Sequence, residues 1–254
     1  MITKIKIEKT KTGKSKCQKD LILRALIEEY TLTGEPVASQ LLNARYCFGV
    51  SSATIRNHFA FLTEKGYLFK PYISSGRIPT DKAWKLFIKI IFDEEKDFLS
   101  HWEKKFSNQL SKIKLKSPAN SQNYTKRVKE LVSLVSEESR AFCFCYLFQE
   151  DELIKQGLKY MFAEMAVEEL LNSKLLQAIA ESLEQLDQKV KNIKITQSPL
   201  VLIGRENPLI KSDQFSSLLT SLSQPKAIFG ILGPKRMLYD KNIAILKALT
   251  NLTT

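Results

Sequence analysis

Arg56 and Asn57 stand side by side in the stretch SSATIRNHFAFL (51–62), and both are side-chain types that read base edges through paired hydrogen bonds. Arginine donates two parallel bonds to guanine O6 and N7. Asparagine donates and accepts at adenine N6 and N7, and each good pair discriminates by roughly 1–3 kcal/mol. Ser51, Ser52 and Thr54, just ahead, offer hydroxyls suited to phosphate oxygens, which set register rather than sequence. A second polar set, Ser74, Ser75, Gly76 and Arg77, follows. Turn chemistry there presents an arginine beside a hairpin tip, where it can enter a narrow minor groove or grip phosphate. The bland alternative for this second set is an ordinary surface hairpin.

Base reading needs a helix thin enough to enter a groove, and the local pattern provides one. Ile55, Phe59 and Leu62 fall on one face at helical spacing, and Ser51 and Ser52 precede them as hydroxyl caps. The opposite face carries Ala53, Asn57, Ala60 and Glu64, with Arg56 on its shoulder. His58 lies nearer Phe59 than Asn57, which assigns it to packing or to the phosphate side. Gly66 suits a left-handed helix end, Tyr67 to Phe69 reads as a short strand, and Ile78 as its return. Upstream, Leu23, Leu26, Ile27 and Tyr30 predict an amphipathic helix over 16–32, closed by Gly34. Pro36 fits the first turn of a second short helix whose apolar side is Val37, Leu41 and Leu42. The order helix, helix, helix, hairpin is a winged helix-turn-helix.

Charge agrees. Residues 1–92 hold 16 Lys and Arg against 7 Asp and Glu, a net +9 of the chain's +12. Such asymmetry points to an anionic polymer or a membrane surface. Seven lysines fall within the first 19 residues, where no periodic pattern develops. Residues 1–14 read as a basic arm, serving either non-specific phosphate attraction or solubility. No run approaches the ~18 apolar residues of a membrane span, and no secretory leader is legible, so a cytoplasmic protein is expected.

Catalytic chemistry finds no foothold. His58 and His101 are the two imidazoles, and neither lies near a Ser, Cys or carboxylate constellation. Cys17, Cys47, Cys143 and Cys145 have no metal-ligand or redox spacing, so reduced thiols are expected, with Cys143 and Cys145 filling space in a strand. No enzyme, cofactor or metal is implied.

The second half reads as a separate domain. Val128, Leu131, Val132 and Val135 form a helical stripe, and residues 141–148, 200–203 and 228–232 read as strands. Leucines from Leu170 to Leu186 form a long stripe, either a dimer face or a helix covering a sheet. Arg205, Lys235 and Arg236 lack a Gly-rich loop or carboxylate cluster and are assigned to surface or structure. The expected fold is α+β: arm 1–14, winged helix-turn-helix 15–80, a helical connector with linker 81–123 whose SPANSQN ends it, and a domain at 124–254 with helices on a mixed sheet.

VSSATIRN (50–57), GYL (66–68) and SGRIPTDKAW (75–84) together resemble the bacterial heat-inducible transcription repressor HrcA family. VLIGRENP (201–208) and FGILGPKRMLY (229–239) resemble the closing strands of that family's C-terminal domain, and GLKYMF (157–162) is a weaker match. The resemblance implies a repressor that binds double-stranded DNA, as a homodimer, at an inverted-repeat CIRCE operator ahead of chaperone genes. It also implies modulation by the GroEL chaperonin and a C-terminal part resembling a GAF domain with an inserted dimerisation segment. Base reading would fall to Ser52, Arg56 and Asn57, and the wing role to Ser74, Gly76 and Arg77. Two departures matter. His58 stands where the family usually has glutamate, and residues 139–147 run almost directly into 157–162, which implies a reduced GAF-like mixed α/β domain. A different class of reading remains, a winged-helix interaction module that senses a ligand or partner through its second domain.

Overall fold

Three helices gather around the apolar side of the arginine- and asparagine-bearing segment. The structure, a computed structural model, describes residues 18–93, 98–113, 121–163, 165, 172–224 and 226–253. The basic arm, Cys17, Leu170, Leu171 and most of the expected linker lie outside the described residues. The chain divides into two compact units, Met1–Ile91 and Phe92–Thr254.

In the first unit, α1 (Gln18–Thr33) buries Leu23, Leu26 and Ile27 of the predicted stripe together with Ile22, while Tyr30 is half-buried. Gly34, at φ +71°, ends it by donating its amide to the Tyr30 carbonyl at 2.8 Å. Helix α2 (Ser39–Arg45) follows, and here the sequence expectation needs correcting. Pro36 precedes the helix rather than opening it, and Val37 is extended, bridged to Arg77. Helix α3 (Ser52–Glu64) buries Ile55, Phe59 and Leu62. Gly66, at φ +73°, turns the chain into β1 (Leu68–Phe69), which pairs antiparallel with β2 (Ile78–Pro79) before α4 (Asp81–Asp93). Glu29 of α1, 1% exposed, is ion-paired with Arg45 at the end of α2. That pair fixes α2 against α1, because a buried carboxylate left alone is costly.

The second unit is built on one five-stranded sheet. Its strands are β3 (Phe142–Leu147), β4 (Glu152–Gln156), β5 (Leu200–Ile203), β6 (Phe215–Leu222) and β7 (Ala227–Pro234), in the order β4-β3-β7-β6-β5. Every pairing is antiparallel, so the mixed sheet expected from alternating strands and helices is incorrect. The connections explain it. Tight turns join β3 to β4 and β6 to β7 as hairpins. The helices α7 (Leu158–Ala163), α8 (Ser173–Glu184) and α9 (Leu186–Lys191) carry the chain from one sheet edge to the other instead of linking parallel neighbours.

Both faces of this sheet are covered. Phe142, Phe144 and Tyr146 on one face of β3 share a core with Met161 of α7, Ile179 of α8 and Leu186 and Val190 of α9. From Leu175 to Leu186 the leucine stripe therefore covers the sheet, broken into two helices at Gln185. Helix α6 (Ser121–Ser139) packs on β3 and β4, and α10 (Tyr239–Thr253) packs on α5 (Phe98–Leu110) and β6. Cys143 and Cys145 are free and fully buried in β3. Burial pushes both thiols up to about 12. Among the described residues, no helix is long and apolar enough to cross a membrane.

Candidate nucleic-acid interface

Helix α3 begins where the hydroxyl pattern places it. Ser51 takes the N-cap in extended conformation, and its Oγ accepts the Thr54 amide at 3.2 Å. Thr54 Oγ1 lies 3.1 Å from the same oxygen. These two hydroxyls thus satisfy the helix end first, which is what an N-cap contributes. Four residues on the side away from the buried stripe, Ala53, Asn57, Ala60 and Glu64, are exposed, as is Arg56; Ser52, Thr54 and His58 are half-buried. Among the described residues no hydrogen bond or ion pair engages Arg56 or Asn57. Two adjacent side chains of types able to pair with base edges are thus held on a capped helix with short neighbours, the arrangement that direct readout requires.

The wing differs from its sequence reading in one important respect. Arg77 is not at the tip. Its backbone exchanges two 2.9 Å hydrogen bonds with Val37, and its Nε donates to Thr63 Oγ1 of α3 at 3.1 Å. Nη1 donates to the Gly76 carbonyl at 3.3 Å. The guanidinium thereby braces the wing base against α3. Gly76 has a packing reason: a Cβ there would lie 2.4 Å from the carbonyl carbon and oxygen of Val37 and 2.6 Å from the Pro36 oxygen. Ser75 organises the turn, its Oγ accepting the Tyr72 amide at 2.9 Å and donating to the Tyr72 carbonyl at 2.7 Å. Ser74 is exposed.

What the turn presents is apolar. Ile73 is 95% exposed, Tyr72 74% and Phe69 54%. Sequence reasoning passed over Tyr72 and Ile73, although two consecutive large residues before a Ser-Ser-Gly turn were visible. It also missed two cation–aromatic contacts on this unit. Lys82 Nζ donates to the Lys65 carbonyl at the end of α3 (2.9 Å) and sits 4.4 Å above the Tyr67 ring, and Lys19 Nζ lies 3.7 Å above the Phe61 ring. Such contacts hold ammonium groups near the surface of α3 and the wing. Behind α2, burial pushes the Tyr46 hydroxyl up to about 12, with Glu28 and Glu29 adding and Arg45 opposing.

In the second unit, Arg205 is exposed, 4.0 Å from Asp213. Asn207 is buried, donating to Ser217 Oγ at 2.9 Å and accepting the Leu209 amide at 3.2 Å. The exposure of Arg205 fits its assignment to surface or structure. A Cβ on Gly230 would meet the Phe144 ring at 2.1 Å, which accounts for a glycine within the FGILGP strand. Among the described residues no cluster of metal-ligating side chains occurs.

Comparison with known proteins adds a lineage to this geometry. The family model described as the HrcA protein C terminal domain matches residues 94–243. The heat-inducible transcription repressor HrcA of Rhodococcus jostii (strain RHA1) is 50% identical over 72 residues, covering 28% of this chain and 21% of that protein. The protein of the same name from Alkaliphilus metalliredigens (strain QYMF) is 46% identical over 78 residues, 31% of this chain and 23% of its own. The chain thus spans about a fifth of the length of the curated relatives it matches. A solved structure described as a hypothetical protein superposes with a TM-score of 0.65 at 16% identity, covering 93% of this chain and 96% of the other. That likeness is one of fold alone.

Proposed function

Because the chain belongs to the HrcA family, we propose that it is a sequence-specific DNA-binding transcriptional repressor of heat-shock genes, acting in the cytoplasm as a homodimer on an inverted-repeat CIRCE operator. The observation that carries this reading is the pair Arg56 and Asn57, exposed and, among the described residues, unengaged on a helix capped by Ser51. Arg56 and Asn57 read base edges. Ser51, Ser52 and Thr54 meet phosphate with what their capping bonds leave over, and Ser74, Ser75, Gly76 and Arg77 form the wing. A single such unit contacts a modest area, and two on a two-fold axis reach specific affinity at a palindromic site. The second unit serves as a reduced GAF-like dimerisation and regulatory domain, and its all-antiparallel sheet covered on both faces supports that reading. Modulation by the GroEL chaperonin belongs to the same proposal.

Footprinting on an inverted-repeat operator over a salt series, with and without chaperonin, tests it. A two-fold symmetric protected site that strengthens with chaperonin is expected. Protection that follows charge alone, with no preference for the operator over scrambled duplex, refutes it.

A further inference from the structure

We infer that the wing engages DNA through an apolar wedge, with Ile73 inserted between base pairs in the minor groove and Tyr72 packed beside it. This deepens the DNA-binding reading and rests on it. Solitary exposed apolar side chains need no explanation. Here Phe69, Tyr72 and Ile73 share one short wing, with Ile73 95% exposed. The turn that carries them is clamped: the Ser75 amide and hydroxyl both bond the Tyr72 carbonyl, at 3.0 and 2.7 Å, and the Ser75 oxygen accepts the Tyr72 amide. The base is clamped as well, by the paired Val37 and Arg77 amides and by the close approach at Gly76. A preorganised tip loses little conformational entropy on insertion.

The cation expected beside this tip is turned back. Arg77 is bonded to Thr63, and the most exposed large apolar side chain of the wing is Ile73, at 95%. Positive charge flanks the wedge along the chain rather than sitting on it: Lys65 and Lys70 precede it and Lys82 follows, its Nζ held at the Lys65 carbonyl at 2.9 Å. That distribution suits a duplex: ammonium groups meet the two phosphate rails and an uncharged side chain meets the stacked bases. Proteins that open the minor groove use this division, inserting Ile, Leu, Phe or Met between base steps and kinking the duplex. Flexible pyrimidine–purine steps would accept the wedge most readily.

A duplex selected from a random pool by the wild-type protein provides the probe, rebuilt with 2-aminopurine at each flanking adenine in turn. Wild type is expected to brighten one position per half-site as the base unstacks. Ile73→Ala abolishes that brightening and lowers affinity roughly 10- to 150-fold, the worth of burying one such side chain, while keeping the same protected bases. Ile73→Leu retains the signal. If no duplex is selected, the DNA-binding reading fails and the wedge with it. If a duplex is selected but no position brightens, or Ile73→Ala brightens as wild type does, the wedge alone is wrong. Loss of self-association in Ile73→Ala with an unchanged DNA signal would assign the tip to a second copy and also overturn the wedge. Since Ile73 is exposed, its replacement leaves the fold intact.

Discussion

Gly76→Ala puts the coupling between wing and helix-turn-helix to a direct test. The new Cβ would stand 2.4 Å from the carbonyl carbon and oxygen of Val37 and 2.6 Å from the Pro36 oxygen. Comfortable carbon contacts are about 3.5–4.0 Å, so wing and connection must part by roughly 1 Å. The obstacle is backbone on both sides, and no side chain can rotate out of the way. The two 2.9 Å hydrogen bonds between Val37 and Arg77 then break. At about 0.5–1.5 kcal/mol each, their loss amounts to about 1–3 kcal/mol, or ~5- to ~150-fold easier local opening. Amide hydrogen exchange on the full chain reads this residue by residue: Val37 and Arg77 amides should lose protection by that factor, while amides of α1 and β7 keep theirs. Operator affinity should fall, because the wing no longer holds a fixed place beside α3. Protection at Val37 and Arg77 equal to wild type would mean that the close approach is not what demands glycine, and the reasoning would fall.

Arg56→Ala should weaken operator binding by roughly 1–3 kcal/mol and relax preference at one or two base pairs, whereas deleting residues 1–14 should weaken all sequences alike and flatten the salt slope; competition assays over a salt series separate the two. Arg45→Ala should cost about 3 kcal/mol in urea unfolding and Glu29→Gln clearly less, because the first strands a carboxylate that is 1% exposed and the second leaves an arginine that can turn to water. In the folded chain Cys143 and Cys145 should resist a thiol reagent at pH 8 while the exposed Cys47 reacts. Their folded values, raised from 9.0 to about 12, stabilise the fold fully below pH 9, and that contribution drains away between pH 9 and 12 as the unfolded thiols ionise first; the urea midpoint should fall across that window. Gly230→Ala should destabilise by about 1–3 kcal/mol through its clash with the Phe144 ring, and adding Phe144→Leu should recover part of the loss, a non-additivity visible in denaturation midpoints.

Residues whose partners are close in sequence were legible. The Ser51 cap, the Ile55, Phe59 and Leu62 stripe, and the left-handed Gly66 all follow from spacing within one or two helical turns. Strand β6 was not legible, although it is central and almost wholly buried. Ser216, Ser217 and Thr220 interrupt its apolar pattern, and their hydroxyls are satisfied by Tyr239, Asn207 and Thr250, partners remote along the chain. Strand β4 hid for the opposite reason: at the sheet edge it tolerates Glu152, Lys155 and Gln156, which read as loop. The wing follows the same logic. That Arg77 points back depends on Thr63, and that Gly76 cannot carry a side chain depends on Pro36 and Val37; no local pattern connects these residues.

A helix laid on a purely apolar sheet has little to stop it slipping by a turn, since one greasy contact is much like the next. The hydroxyls of β6 remove that freedom for α10. Tyr239, at its first residue, donates to Ser216 at 2.8 Å, and Thr250, near its last turn, meets Thr220 at 2.7 Å. Two pins at opposite ends of one rod set both its rotation and its position along the strand. A slide of one turn, about 5.4 Å, would break both at once, at about 0.5–1.5 kcal/mol for each bond lost. The sheet thus works as a ruler for its final helix, and a one-residue insertion between residues 240 and 249 would leave one pin or the other unmatched.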